Sequence, residues 1–176
     1  MGRFSRGVYP FVYLNCMKKI KLTRGRETLV DDDDFQKFYK YLGLSWCCSS
    51  HGYATASKME NRVTTNFYLH RLVVGAKRGE MVDHINHDKL DNRKENLRLC
   101  TPAQNNWNRK VKKSKRTGYI GVWKDYGKRY GFSAMITVNG KRTYLGRFNT
   151  KEKAALAYNE AAVRLKGEFA VLNVVP

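Results

Sequence analysis

The sequence predicts an α+β protein, and three observations carry that prediction. Residues 118–176 change period: "YGFSAMITVNGKRTYLGRFN" alternates as strands do, and "TKEKAALAYNEAAVRLKG" then runs at helical spacing. Upstream, "GYATAS" and "TTNFYLHRLVVG" are rich in Thr, Val, Tyr and Phe and bounded by Gly52 and Gly75, which reads as strands. In "LVDDDDFQKFYKYLGL", four aspartates precede Phe35, Phe38, Tyr39 and Leu42, an apolar face at helical spacing. Strands and helices gathered in separate stretches read as α+β.

Taken in order, "VYPFVYLNCM" (8–17) is too short and too interrupted by Pro10 and Asn15 for a membrane span. "KKIK" follows it where a signal cleavage site needs small residues, so residues 1–17 read as an N-terminal arm or edge strand. Asp31 to Asp34 read as an acidic helix start favoured by the free amides there. A metal site is the poorer reading, since neighbours on a helix point different ways. "GEMVDH" is strand-like, "RKENLRLCT" reads as a short helix carrying Asn96, and "TPAQNN" starts another helix at Pro102. Asn139-Gly140, between alternating runs, predicts a hairpin. Thr150 and Gly167 predict the start and stop of the last helix, whose alanines let it lie close on the sheet.

Charge narrows the partner. The 176 residues hold 34 Lys or Arg against 15 acids, a net charge of +19. Residues 109–116 hold six basic side chains and no acid, a linker by composition that can also lie along a polyanion. From 106 to 151 there are 13 basic residues and one acid, Asp125, so the charge is concentrated rather than diffuse. That favours nucleic acid, and no long apolar run or bulky amphipathic helix supports a membrane partner. In strand 131–138, Phe132, Ala134, Ile136 and Val138 face one way. The other face should carry Arg142, Tyr144 and Trp123, a composition that suits a β-ribbon reading a DNA groove.

The four cysteines, Cys16, Cys47, Cys48 and Cys100, form no C-x-x-C pair, so no structural zinc is expected. Adjacent Cys47 and Cys48 bridge poorly, and all four read as reduced thiols of a cytoplasmic protein.

The chemistry gathers in "VDHINHDKLDNRKENLRLCTPAQNN" (82–106), dense in Asp, Asn and His. Asp83 offers a hard oxygen for an ion such as Mg²⁺, and His84 a base active near neutral pH. Neighbours on a strand face opposite ways, so a turn must bring the two to one site, and "INHDKLDN" supplies one. The amide oxygen of Asn105 could meet Asp83 across the site. The competing reading is a loop whose Asn and Asp merely cap turns. His51, His70 and His87 read individually as structural or surface residues.

"YLHRLVVG" followed by that segment resembles the HNH nucleases of the homing-endonuclease type, found in phages and introns. "GYIGVWK" with "TYLGRFNTKEKAALAYNEAAVRLKGEFAVLN" resembles the AP2 DNA-binding domain, and together the likenesses span roughly residues 65 to 173. The resemblance implies a ββα-metal nuclease module, and beside it an AP2-like three-stranded antiparallel sheet packed on one helix. It implies one divalent ion, Mg²⁺ or else Mn²⁺, held by Asp83 and Asn105, with His84 as general base. Asn96 then braces the histidine loop, Asn92 helps shape it, and His70 and Arg71 form a structural or phosphate-contacting pair. Two departures matter. His87 stands at a turn where the family usually has glycine, and Ile120, Trp123 and Asp125 replace the first-strand arginines of plant AP2 domains.

The sequence is thus expected to comprise an arm (1–17), an HNH domain with an N-terminal extension (18–107), a basic linker (108–117) and an AP2-like domain (118–176). Its expected activity is site-preferring cleavage of double-stranded DNA, nicking if it acts alone and cutting both strands if paired. The sequence leaves monomer and homodimer open. Arg71, Arg93, Arg109, Lys112, Lys113, Lys115, Arg116, Trp123, Lys124, Arg129, Arg142 and Tyr144 are the expected DNA contacts. No small-molecule cofactor and no membrane partner are expected. The alternatives are a DNA-binding regulator without catalysis and, further off, a basic RNA-binding protein.

Overall fold

A computed structural model describes residues 17–41, 44–109, 111–126 and 131–176. The N-terminal arm, Cys16, Leu42 and Arg129 lie outside the described residues. The protein is mixed α/β and divides into two compact units, Met1–Gly75 with Asp88–Asn96, and Ala76–His87 with Leu97–Pro176. The division passes through the segment 82–106, and no unit boundary falls at the basic stretch after residue 107.

In the first unit, β1 (Met17–Lys21) and β2 (Glu27–Asp31) form an antiparallel pair. One helical turn, α1 (Asp32–Phe35), continues into a π-helical turn over Gln36–Tyr41. The aspartates do more than start a helix. Asp31 makes no side-chain cap; it is buried and its carboxylate accepts from the Lys94 amide at 2.8 Å. Asp34 is buried too and pairs with the Lys94 ammonium at 3.2 Å. Burial is what holds the Asp34 carboxyl above its ordinary pKa, against the pull of Lys94.

A second sheet follows in the order β3 (Cys47–Cys48), β4 (Ala54–Glu60), β5 (Val63–Tyr68). The predicted strand "TTNFYLHRLVVG" is half strand and half helix: after Tyr68 the chain turns into α2 (Leu69–Val73). Leu69 and Val73 are buried four residues apart, so the helical period wins where a residue pair must reach one side. His70, also buried, packs with Tyr53 and Tyr68, ring centroids 5.0 and 5.7 Å away.

The loop Asp88–Asn96 is sewn onto β2. Leu29 exchanges two backbone bonds with it, donating its N–H to the Leu90 carbonyl and accepting from the Asn92 N–H, each 2.8 Å. The fully buried Asn92 amide donates to the Thr28 hydroxyl at 2.7 Å.

The second unit contains β6 (Met81–His84) paired antiparallel with β7 (Leu97–Cys100), then α3 (Pro102–Trp107). The predicted helix over "RKENLRLCT" is therefore corrected: a 3-10 turn holds Lys94–Asn96, and Leu97 onward is a strand. Leu97 and Leu99 alternate along the strand, and Val82 stands opposite Leu99, which favours pairing over a lone short helix. α3 begins as predicted, with Pro102 in its first turn and a reciprocal capping box between Thr101 and Gln104. The basic stretch is not wholly a tether, because the Ser114 and Gly118 amides close a turn (3.1 and 2.8 Å) and Thr117 is buried.

The last sheet runs β10-β9-β8, from β8 (Val122–Asp125), β9 (Gly131–Val138) and β10 (Lys141–Phe148), all antiparallel. Asn139 and Gly140 both take positive φ, 50° and 79°, as a two-residue hairpin turn of this hand requires. α4 (Lys151–Lys166) lays Ala154, Ala155, Tyr158, Ala161 and Ala162 against the sheet. Its approach is so close that a Cβ on Gly121 would sit 2.2 Å from the Tyr158 ring, and Gly121 has φ +68°, so only glycine serves there. Beyond α4, buried Asn173 grips both the amide and the carbonyl of Ile120, at 2.7 and 3.1 Å. That clamp anchors the segment after α4, in which Phe169 is also buried.

Candidate active site

β6 ends at Asp83 and His84, both buried, and the next turn closes with the His87 amide donating to the His84 carbonyl at 3.0 Å. His87 itself has φ 65°, the left-handed conformation that suits glycine. The strained position is thus the one where the family resemblance expects glycine.

Asp83 is directly opposite Arg98 in the β6–β7 register, so their side chains share a face. Arg98 donates from Nε and Nη2 to the same carboxylate oxygen, Asp83 Oδ2, at 3.1 and 2.9 Å. Asn108, buried just past the end of α3, adds its amide N–H groups: 3.0 Å to Oδ1, 2.9 Å to Oδ2 and 3.2 Å to the His84 carbonyl. One amide therefore holds the carboxylate and the backbone of the neighbouring histidine together. The donors crowd Oδ2, with three, and leave Oδ1 with one. On β7, Cys100 has its thiol pushed up, first by burial and second by the Asp83 anion.

Neither Arg98 nor Asn108 was among the residues the sequence singled out. Asn105, expected to face Asp83, lies one turn before Asn108 on α3 and is half-buried. Asn96 is in the other unit, where its buried amide donates to the Asp91 carbonyl at 2.8 Å and so braces the 88–96 loop.

Residues 67–107 match the family described as HNH endonuclease, a span that includes Asp83, His84, Asn92, Asn96 and Asn105 and stops one residue before Asn108. An uncharacterized HNH endonuclease of Acanthamoeba polyphaga mimivirus is 32% identical over 158 residues, covering 88% of this chain and 79% of the relative. The chain belongs to the HNH endonuclease family. Protein 3.8 of Escherichia phage T7 is also 32% identical, over 94 residues, 53% of this chain and 75% of that protein. Among solved structures, one of DNA binding and cleavage by the HNH homing endonuclease I-HmuI matches at 28% identity and a TM-score of 0.30, covering 33% of this chain and 36% of the other.

This HNH protein is accordingly a nuclease, and membership of the family implies DNA as its partner. HNH nucleases generally use a divalent metal. The donor chemistry here fits such an ion. Among the described residues no three His, Cys, Asp or Glu side chains converge. Asp83 offers a buried carboxylate whose Oδ1 carries one hydrogen bond, and amide oxygens lie on α3; hard cations take oxygen donors of these kinds in phosphate chemistry.

The expected DNA contacts fall into two groups. Trp123, Arg142 and Tyr144 are exposed, and the register aligns Trp123 with Ser133, Tyr144 with Met135 and Arg142 with Thr137 on one sheet face. Arg109, Lys112, Lys113, Lys115, Arg116 and Lys124 are exposed as well, with Arg116 donating to the Tyr126 hydroxyl at 3.1 Å. Arg93 differs: its guanidinium pairs with Asp91 and Glu95 within its own unit. Arg71 is half-buried on α2. Among the described residues no helix is long and apolar enough to cross a membrane.

Proposed function

We propose that this chain is a divalent-ion-dependent, site-preferring DNA endonuclease of the homing type that nicks one strand, with His84 as general base. The observation that carries the reading is the state of Asp83: a buried carboxylate, fixed through Oδ2 by Arg98 and Asn108, with Oδ1 the sparsely bonded oxygen. Asp83 and Asn105 are the residues that would hold the ion. Mg²⁺ or Mn²⁺ bound there supplies positive charge against the charge that develops on phosphate oxygens.

The chain's own groups do the rest. The His84 imidazole takes the proton of the attacking water, a role that histidine side chains commonly fill. Asn108 keeps the His84 backbone and the Asp83 carboxylate in one frame. The sheet face with Trp123, Arg142 and Tyr144 resembles an AP2-type reading surface and supplies site preference, while the lysines of 109–116 lie on phosphates.

A supercoiled plasmid, incubated with and without Mg²⁺ or Mn²⁺, tests the reading with wild type beside His84→Ala. Open-circle product that requires both the ion and His84 is the expected result. Linear product points to paired active sites. DNA binding without ion-dependent cleavage of a plasmid carrying the bound site turns the reading to a regulator.

A further inference from the structure

Arg98 uses its whole guanidinium. Nε and Nη2 hold Asp83 Oδ2, and Nη1 donates to the Glu168 carbonyl at 2.7 Å. The flat face lies on the Phe169 ring, with the guanidinium carbon 3.7 Å from the ring centroid. Only 11% of the side chain is exposed. Glu168 and Phe169 form the 3-10 turn after α4, so they belong to the sheet-and-helix module, and Arg98 and Asp83 to the β6–β7 pair. The contacts lie within one compact unit.

We propose that Arg98 is a positioning residue through which the end of the C-terminal module sets the ion-binding carboxylate. A planar, five-donor cation fixed by a carbonyl at one edge and a ring on its face has one orientation left for its other edge. That edge takes Oδ2 and so leaves Oδ1 with the Asn108 amide alone. Cleavage, and not merely site preference, then depends on the C-terminal module: its job begins with holding Asp83 still. The inference rests on Asp83 being an ion ligand.

The test uses full-length protein and Mn²⁺ binding measured by electron paramagnetic resonance without DNA, beside duplex affinity in chelator and the ion dependence of nicking. Arg98→Lys keeps the charge but cannot hold the carboxylate and the Glu168 carbonyl at once. Phe169→Leu keeps an apolar filler and removes the ring face. Both should weaken Mn²⁺ binding by about tenfold or more, the usual cost of losing a partner that orients a metal ligand. Duplex affinity should stay within about twofold, and excess ion should restore much of the nicking rate.

Wild-type Mn²⁺ binding in both variants, with Asp83→Asn losing it, overturns the role of Arg98 and leaves the ligand reading standing. Wild-type Mn²⁺ binding in Asp83→Asn overturns the ligand reading, and the proposal with it. Should Arg98→Lys fail to fold, Phe169→Leu decides by the same readouts.

Discussion

Among the described residues, two buried carboxylates each meet an arginine, and they are held in opposite ways. Asp91 receives Arg93 side-on, Nε to Oδ1 and Nη2 to Oδ2, both at 2.7 Å. Both oxygens are engaged, and hydrogen bonding by Asp91 pushes the Arg93 guanidinium further above its already high pKa. Asp83 instead takes Arg98 end-on, with both nitrogens on Oδ2. The side-on pair closes its carboxylate; the end-on pair aims it. A buried Asp–Arg pair is therefore not one motif but two, and the oxygen left sparsely bonded tells them apart.

The largest effect should fall on the aimed site. His84→Ala should lower cleavage by about 10²–10⁴-fold, the range for losing a general base, with duplex affinity nearly unchanged. Single-turnover nicking beside fluorescence anisotropy checks it. A parallel loss of binding would make His84 structural and remove the contrast. The closed pair should answer in stability instead. Asp91→Asn should cost about 3–5 kcal/mol, as breaking a buried ion pair does, read by urea denaturation. An unchanged midpoint would mean that the existing Glu95 pair suffices for Arg93.

A thermal shift separates the two more finely. Divalent ion at about a hundredfold over its dissociation constant should stabilise the wild type by about 2.7 kcal/mol, and Asp91→Asn by the same increment. Asp83→Asn should gain nothing. Equal gains in all three would place the ion elsewhere.

The strand end at Asp83 and His84 and the C-terminal sheet were legible in the sequence, because a strand-like run before a turn and an Asn-Gly hairpin are local signals. Asn139-Gly140, Thr150 and Gly167 stand where their chemistry placed them. Arg98 was hidden by the misreading of "RKENLRLCT" as a helix. Only as a strand paired with β6 does that run set Arg98 opposite Asp83, and pairing is a property of two segments. Asn108 was hidden differently, as one more asparagine past "QNN" with nothing local to mark the one whose amide turns inward. The 88–96 loop escaped too, since its anchor on Thr28 and Leu29 lies some sixty residues away in the chain.

A third Asp–Arg pair extends the comparison to the surface. Asp125 meets Arg147 at 3.2 Å, each side chain about a third exposed. Solvent screens such a pair, so Asp125→Asn should change stability by less than about 1 kcal/mol. Its consequence should lie in binding. Asp125 is the one acid among the basic residues of 106–151, and the register sets it two positions from Trp123, on the same face. Removing its charge takes away a repulsion toward phosphates and leaves Arg147 more of its field to offer them. Duplex affinity should therefore rise modestly, and the gain should shrink as salt increases, since it is electrostatic. Anisotropy titrations at two salt concentrations check it. Weaker binding would mean that Asp125 is needed to hold Arg147 and Ser133 in place for the reading face, which would move this pair into the class of Asp83: a carboxylate that aims a neighbour.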